Sequence, residues 1–358
     1  MIIHFITGGD IYSYNYINYV KRNFDVSQNK FFVYKNKNYN ENYTTDYPNL
    51  EYYNKEIQFS IKKFKEIHKA NKIVLHQLNI PLVVLFWVIF YPFIYNKLMW
   101  VIWGADLYDY YEKKVRLKDY LIEYLRSYFI RRVKYISCYI EGDYYLCRKI
   151  YGSKAKYFKS CYPKTIDEKI ISYAHDNQIE NQNTTILIGN SADKRNNHID
   201  ILNKLQRFKD ENVRLLLILS YGGTKDYVEK VKNHALNLFG SKAVCILDYM
   251  SFETYAELLT KTNICIFGHK RQQGLGTINL MLAMKKKVFL NSFITPFVYF
   301  NNIGIKIYET DKIDIYSFAE LIDISENDLA ENQSKILEDL SLVKTNKYWE
   351  AILEKDWD

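Results

Sequence analysis

The sequence predicts an α/β protein built from two parallel-sheet units, and three observations lead there. Short apolar runs rich in β-branched and aromatic residues alternate with longer segments of helical period, the pattern of buried parallel strands covered by helices. The 358 residues, 48% hydrophobic with only 13 Gly and 5 Pro, bury enough apolar surface to fold and exceed what one core comfortably serves. A polar, turn-rich stretch ending in DNQIENQNTT separates two such alternating halves. The expected organisation is a first unit over residues 1–165, a linker over 166–183, a second unit over 184–330, and C-terminal helices over 331–358 that pack back towards the first unit.

In the first half, strands are expected at 2–6, 31–34, 73–76, 99–103 and 135–138. In the second they are expected at 185–188, 214–219, 244–247, 264–267, 288–290 and 305–308. Residues 73–96 carry no formal charge over 24 positions, long enough to cross a bilayer. His76, Gln77, Asn79, Pro81 and Pro92 interrupt that run, so it reads as a strand, a short polar loop and a buried helix opening at Pro81. Residues 113–134 interleave Lys and Arg with Leu, Tyr and Phe, an amphipathic helix whose basic face suits either anionic lipid or plain solvent. Residues 331–357 read as one or two helices with Ile336, Leu337, Leu340 and Val343 at core spacing.

Residues 1–165 hold 26 Lys+Arg against 14 Asp+Glu, a balance of +12, whereas the remainder holds 23 against 27, or −4. That asymmetry suits an anionic partner for the first unit, a membrane surface or a phosphorylated acceptor, although AT-rich codon usage would also enrich Lys. No nucleic-acid partner is expected. Five cysteines without a CxxC pair argue against a disulfide framework or zinc knuckle and for a reducing, cytoplasmic compartment. The opening MIIHFITGGD lacks the basic leader and cleavage site of a signal peptide.

The strongest local motif is HKRQQGLGTINLMLAMKK at 269–286, a strand-to-helix passage. Gly274 and Gly276 permit close backbone approach, the helix amides favour phosphate, and Arg271 adds a planar cation. A tight turn alone is the competing explanation, because Asn279 breaks GxGxxG. A second cluster, IGNSADKRNNHID at 188–200, leaves the carboxyl end of a strand, where open α/β sheets bind ligands. It offers Gly189, Asn190, Ser191, Asn196 and His198, although capping by Ser191, Asp193 or Asn196 explains several of these without a ligand. The loop SYGGTKDY at 220–227 adds Tyr221 and Gly222 to the same rim. In the first unit TGGD (7–10), HQLN (76–79) and WGADLYDYY (103–111) end successive strands, so Asp10, His76 and Asp106 are candidates for one site, each alternatively a cap or a core polar group. HExxH, GxSxG and Cys/His ligand pairs do not occur, and the sole DxD is Asp356 with Asp358.

WVIWGADLYD (100–109), IGNSADKRNNHI (188–199) and HKRQQGLGT (269–277), supported by GGD, HQLNIP, EGD (141–143) and TPF (295–297), resemble the bacterial N-acetylfucosamine transferases of enterobacterial common antigen synthesis. That family moves 4-acetamido-4,6-dideoxygalactose from a dTDP-sugar to a polyprenyl-diphosphate-linked glycan. The resemblance implies a GT-B fold, two Rossmann-like domains facing across a central cleft, with the nucleotide sugar held mainly by the second. It implies that Arg271, Gln272, Gln273, Gly274, Gly276 and Thr277 hold the donor diphosphate. Gly8 and Gly9 would approach it from the other side, and the loops at Gly189–Ser191, Asn196, His198, Tyr221 and Gly222 would border nucleotide and sugar. Asp106 is then the first choice for catalytic carboxylate and Asp10 the second, with His76, Asn79 and Trp103 on the acceptor side. No cofactor beyond the donor is implied, and no metal, because GT-B enzymes commonly stabilise the leaving diphosphate with cations and helix amides, with which the lone terminal DxD agrees; the enzyme would be cytoplasmic, peripheral on the inner face of the cell membrane. The loop SYGG departs from the family's proline-methionine-glycine-tyrosine-like run, and Gln273 and Met281 stand where retaining GT-B enzymes carry glutamates.

Overall fold

The structure, a computed structural model, describes residues 1–35, 39–54, 61–78, 92–111, 114–164, 166, 168–176 and 183–357. Asn79, residues 80–91 of the expected loop and helix, residues 167 and 177–182 of the expected linker, and Asp358 lie outside the described residues, whereas Glu168–Asp176 within that linker forms a helix. The chain forms two compact units, one of Met1–Lys164 with Leu340–Asp358 and one of Thr165–Asp339.

The first unit carries a seven-stranded, all-parallel sheet of β1 (Ile2–Thr7), β2 (Asn29–Lys35), β3 (Leu50–Asn54), β4 (Lys72–His76), β5 (Leu98–Val101), β6 (Tyr135–Cys138) and β7 (Lys156–Lys159). Their order is β3-β2-β1-β4-β5-β6-β7, so the winding reverses between β1 and β4. The second unit carries β8 (Thr184–Ile188), β9 (Val213–Ile218), β10 (Ala243–Ile246), β11 (Ile264–Phe267), β12 (Lys287–Leu290) and β13 (Tyr308–Glu309) in the order β10-β9-β8-β11-β12-β13, also parallel, and reverses between β8 and β11. In such sheets the crevice outside the carboxyl ends of the two strands at the reversal is where ligands bind.

The central strands are buried on both faces, which is why they read as unbroken apolar runs. Ile2 and Ile6 face a core shared with Tyr16, Val20, Phe31 and Trp349, whereas Ile3 faces another with Trp100, Phe129 and Ile136. Two strands escaped the sequence reading, β3 and β7, and both are edges of the first sheet. β7, KYFK, is half-exposed and carries a lysine at each end, as an edge that must avoid pairing does.

Helices Glu326–Asp339 and Leu342–Leu353 form the C-terminal part. Ile336 is buried, but Leu337 and Val343, expected at core positions, are exposed; Asn332, Thr345 and Trp349 take the inward faces instead. Trp349 packs on Tyr16 with ring centroids 4.6 Å apart, and its indole N–H donates to the Cys161 carbonyl at 2.8 Å. The Lys72 ammonium donates to the Ile352 and Leu353 carbonyls at 3.1 Å each, capping the last turn. Because Trp349 is wholly buried, Trp349→Ala should lower unfolding stability by about 3 to 5 kcal/mol in denaturant titrations.

Candidate active site

From β8 the chain passes Gly189, Asn190 and Ser191 and enters the turn Lys194–Asn196. The wholly buried Asn196 carboxamide shapes this loop. Its Nδ2 donates to Ser191 O at 3.0 Å, Ser191 Oγ at 3.2 Å and Asp193 O at 3.2 Å, while its Oδ1 accepts the Asn190 backbone N–H at 3.1 Å. With Nδ2 committed to acceptors, Oδ1 must also be what His269 Nε2 meets at 2.8 Å, so that ring nitrogen carries the proton. One amide and one imidazole thus tie the loops leaving β8 and β11, the two strands at the reversal. Burial brings the His269 pKa down to about 3, helped by the charges of His198 and Arg271, and burial brings His198 to about 4. Both are neutral near pH 7.

Beyond His269 the half-buried Arg271, Gln272 and Gln273 lead to Gly274, which opens the helix Leu275–Ala283 at φ 65° with no side-chain cap. A Cβ at Gly274 would lie 3.0 Å from Asn190 Oδ1 and from His269 Cε1, so glycine serves both the left-handed turn and the close approach. The first-turn amides, through Gly276 and Thr277, stay without a capping side chain at the positive end of the helix dipole. Two amide oxygens, Gln273 Oε1 and Asn279 Oδ1, are buried without a partner among the described residues. The loop after β9 completes the group: Tyr221 Oη donates to Asn190 O at 2.6 Å, the Ala192 N–H donates to Tyr221 O at 2.8 Å, and Gly222 lies against Ser191.

The structure therefore brings Gly189, Asn190, Ser191, Tyr221 and Gly222 together with the loop and helix start that carry Arg271, Gln272, Gln273, Gly274, Gly276 and Thr277. Two of the expected residues lie deeper. Asn196 and His198 have no exposed surface. Asn196 spends its amide on the loop, and His198 Nδ1 lies 3.0 Å from Tyr227 Oη, so both stand behind the site and position it. His269, absent from the expected contacts, turns out to be the link between loops; its place directly after a buried strand and one glycine was the available signal.

In the first unit Gly8 and Gly9 end β1. The Gly8 N–H donates to Tyr34 O at 3.0 Å, and a Cβ on Gly9, at φ 82°, would lie 2.7 Å from Asn40 N and Tyr39 Cα. Packing within the unit thus accounts for Gly9. Asp10 caps the helix Ile11–Asn23, its carboxylate accepting from the Ser13 N–H at 2.9 Å and Ser13 Oγ at 3.0 Å. Burial raises its pKa above the usual carboxylate value, and the Ser13 hydrogen bonds oppose that shift.

Asp106 has 0% exposure. Its Oδ2 accepts from the Leu78 N–H at 3.0 Å and the Trp100 indole at 2.9 Å, its Oδ1 from the Trp103 N–H at 3.0 Å, and Arg126 donates to its backbone carbonyl. Burial raises its pKa against these bonds. These bonds organise the turn after β5, where the WxxWxxD spacing brings Trp100, Trp103 and Asp106 together. His76 is buried, with Nε2 3.2 Å from His4 Nδ1 and Nδ1 bonded to Tyr162 Oη. Trp103 is half-buried and donates from Nε1 to Tyr162 Oη at 2.7 Å.

His269 and His198 bind no proton in the folded state until about pH 3 to 4, whereas unfolded histidine protonates near 6.5. The unfolded state therefore takes up more protons below 6.5, and stability falls as pH drops from 6.5 towards 4. Denaturant midpoints should follow that slope, and His269→Gln should flatten it by about one proton's contribution.

Among the described residues no helix is long and apolar enough to cross a membrane, and no group of three or more His, Cys, Asp or Glu is placed to hold a metal ion. Solved structures share the fold. A glycosyltransferase from Rickettsia africae matches with TM-score 0.66 at 12% identity, covering 99% of each chain. Anabaena HepE in complex with UDP and glucose matches with TM-score 0.66 at 11% identity, covering 99% of each chain. WaaG, a glycosyltransferase involved in lipopolysaccharide biosynthesis, matches with TM-score 0.60 at 9% identity, covering 99% of this chain and 100% of its own. The two parallel-sheet units are accordingly those of the GT-B class. The family described as 4-alpha-L-fucosyltransferase, glycosyl transferase group 56, matches residues 3–317, and this chain, a glycosyltransferase, belongs to it.

Proposed function

We propose that the chain transfers 4-acetamido-4,6-dideoxygalactose from its dTDP donor to a polyprenyl-diphosphate-linked saccharide, without a metal ion. The family match supports sugar transfer of the fucosyl type, and the motifs at 100–109, 188–199 and 269–277 support the acetamido-dideoxy donor. Of the similar folds, HepE was solved with UDP and glucose and an Escherichia coli trehalose-6-phosphate protein with UDP-2-fluoro glucose, which agrees with a nucleotide-sugar donor here. One observation carries the reading: an uncapped helix start at Gly274, with Arg271 in its approach, at the strand reversal of the second sheet.

In this reading the acceptor hydroxyl attacks the anomeric carbon, a new C–O bond forms, and the bond to the β-phosphate oxygen breaks with its electron pair leaving on dTDP. Arg271 and the helix amides neutralise the charge that develops on that leaving group. Asp10 takes the hydroxyl proton. Its pKa is raised towards the working range by burial, and unlike Asp106 it is not enclosed on every side. Asp106 acts as a positioning residue for Trp103 and the turn after β5.

Arg271→Ala should lower kcat/KM by about 10²- to 10³-fold with an unchanged unfolding midpoint; wild-type turnover in that variant would contradict the site. Asp10→Asn preserves the helix cap, since asparagine caps as well as aspartate. It should lower kcat by about 10²-fold or more with donor affinity unaltered, and a change confined to donor affinity would remove Asp10 as base. Thermal midpoints with a panel of dTDP- and UDP-sugars identify the donor: the dTDP sugar is expected to raise the midpoint most.

A further inference from the structure

Trp103, half-buried at the end of β5, is fixed twice. Its backbone N–H donates to Asp106 Oδ1 at 3.0 Å, which sets the turn, and its indole N–H donates to Tyr162 Oη at 2.7 Å, which sets the ring. An indole nitrogen can only donate, so a fixed acceptor on that side selects one orientation of the ring plane. The two rings also meet edge to face, with centroids 5.0 Å apart.

Tyr162 is in turn fixed from behind. Its single hydroxyl proton goes to His76 Nδ1, an acceptor because burial, and then the charge of His4, hold the His76 pKa well below its usual value. Its ring lies 5.3 Å from that of Tyr16 and 6.0 Å from that of Trp349, both wholly buried, and the Trp349 indole donates to the carbonyl of the preceding residue, Cys161, at 2.8 Å. The hydroxyl thus accepts from a residue that reaches the surface and donates to one that does not.

The same hydroxyl stands near the candidate base. Burial raises the Tyr162 pKa well above the usual phenol value, the Trp103 bond opposes this, and the charge of Asp10 adds to it. Trp103 also meets Tyr12 edge to face, with centroids 6.4 Å apart; Tyr12 is 40% exposed and lies in the first turn of the helix that Asp10 caps. Asp10, Tyr12 and Trp103 therefore gather at the carboxyl ends of β1 and β5, the two neighbours of β4, where the first sheet reverses. Two partly exposed rings beside a carboxylate suit a sugar, whose C–H face packs on the rings while a hydroxyl reaches the carboxylate.

We propose that Tyr162 is a positioning residue: its hydroxyl, oriented by His76, holds the Trp103 indole beside Tyr12 and Asp10 so that the acceptor sugar is seated with its hydroxyl at the base. This rests on the transfer reaction and the Asp10 role given above. The test compares wild type, Tyr162→Phe, Trp103→Phe and the double variant, with a dTDP-sugar donor and, as acceptor, the lipid-linked saccharide fraction extracted from the source cells. Tyr162→Phe should lower kcat/KM for the acceptor by about 10- to 100-fold and leave the donor KM unaltered. In the Trp103→Phe background it should cost nothing further, because the group it acts through is gone. With 15N-labelled tryptophan, the indole N–H signal that Trp103→Phe deletes should move in Tyr162→Phe, while the remaining tryptophan signals stay close to their wild-type positions and show that the fold is kept. An unmoved Trp103 signal, additive losses in the double variant, or an equal rise in donor and acceptor KM would overturn the proposal. If Asp10→Asn keeps wild-type turnover while Tyr162→Phe loses acceptor kcat/KM, Asp10 fails as base and Tyr162 stands. If wild type transfers nothing, the donor or acceptor reading fails, and the indole signal, which needs no substrate, still decides whether Tyr162 holds Trp103.

Discussion

The geometry of the donor loops hangs on one buried carboxamide. Asn196 is held by several hydrogen bonds within its own loop and by one from His269, whose Nε2 also lies 3.2 Å from Asn190 Oδ1, so the imidazole ties the two loops at the strand reversal. In a low-dielectric interior each of these bonds counts for more, and an orphaned Asn196 amide there would cost more than a bond gains. It also fixes the charge state: a protonated His269 would be a buried cation beside Arg271. The neutral imidazole leaves the positive charge of this stretch on Lys270 and Arg271, and the glycine lets the backbone pass within contact distance of Asn190 and His269.

The first unit uses the same device with other residues. Trp103 can only donate and does so to Tyr162, which donates to His76, which donates to His4, which donates to the Asn29 amide oxygen at 3.0 Å. Asn29 in turn donates through Nδ2 to the Asp25 carbonyl at 2.8 Å, and this fixes its orientation and hence every tautomer along the series. Burial keeps both histidines neutral, taking His4 to about 4. Together with the Asp106 bonds to Leu78, Trp100 and Trp103, this links the strand ends of the first sheet through hydrogen-bonded polar groups.

The fold class was legible because parallel strands buried on both faces must be continuous apolar runs, and β4, β5, β11 and β12 are. β3 and β7 were not, because an edge strand needs no such run. The loop clusters were legible from glycine and polar residues at strand ends, and Gly274 and Arg271 stand where a helix start can use them. What the sequence could not reveal was the direction in which polar side chains turn. Asn190 and Asn196 look equivalent in IGNSADKRNN, yet one lines the loop and the other disappears beneath it; Asp10 and Asp106 both follow strands, yet only Asp106 is sealed by indole and amide donors. That choice is made by packing across the sheet, between residues far apart in sequence.

Among these features the helix start at Gly274 is the one whose chemistry admits least ambiguity: amides with no cap, a dipole of the right sign, and a guanidinium in the approach. A crystal structure of the protein with dTDP tests it most directly. The diphosphate should lie within hydrogen-bond distance of the first-turn amides of Leu275–Ala283 and of the Arg271 guanidinium. A diphosphate bound anywhere else, with that helix start empty or occupied only by water, would contradict the account.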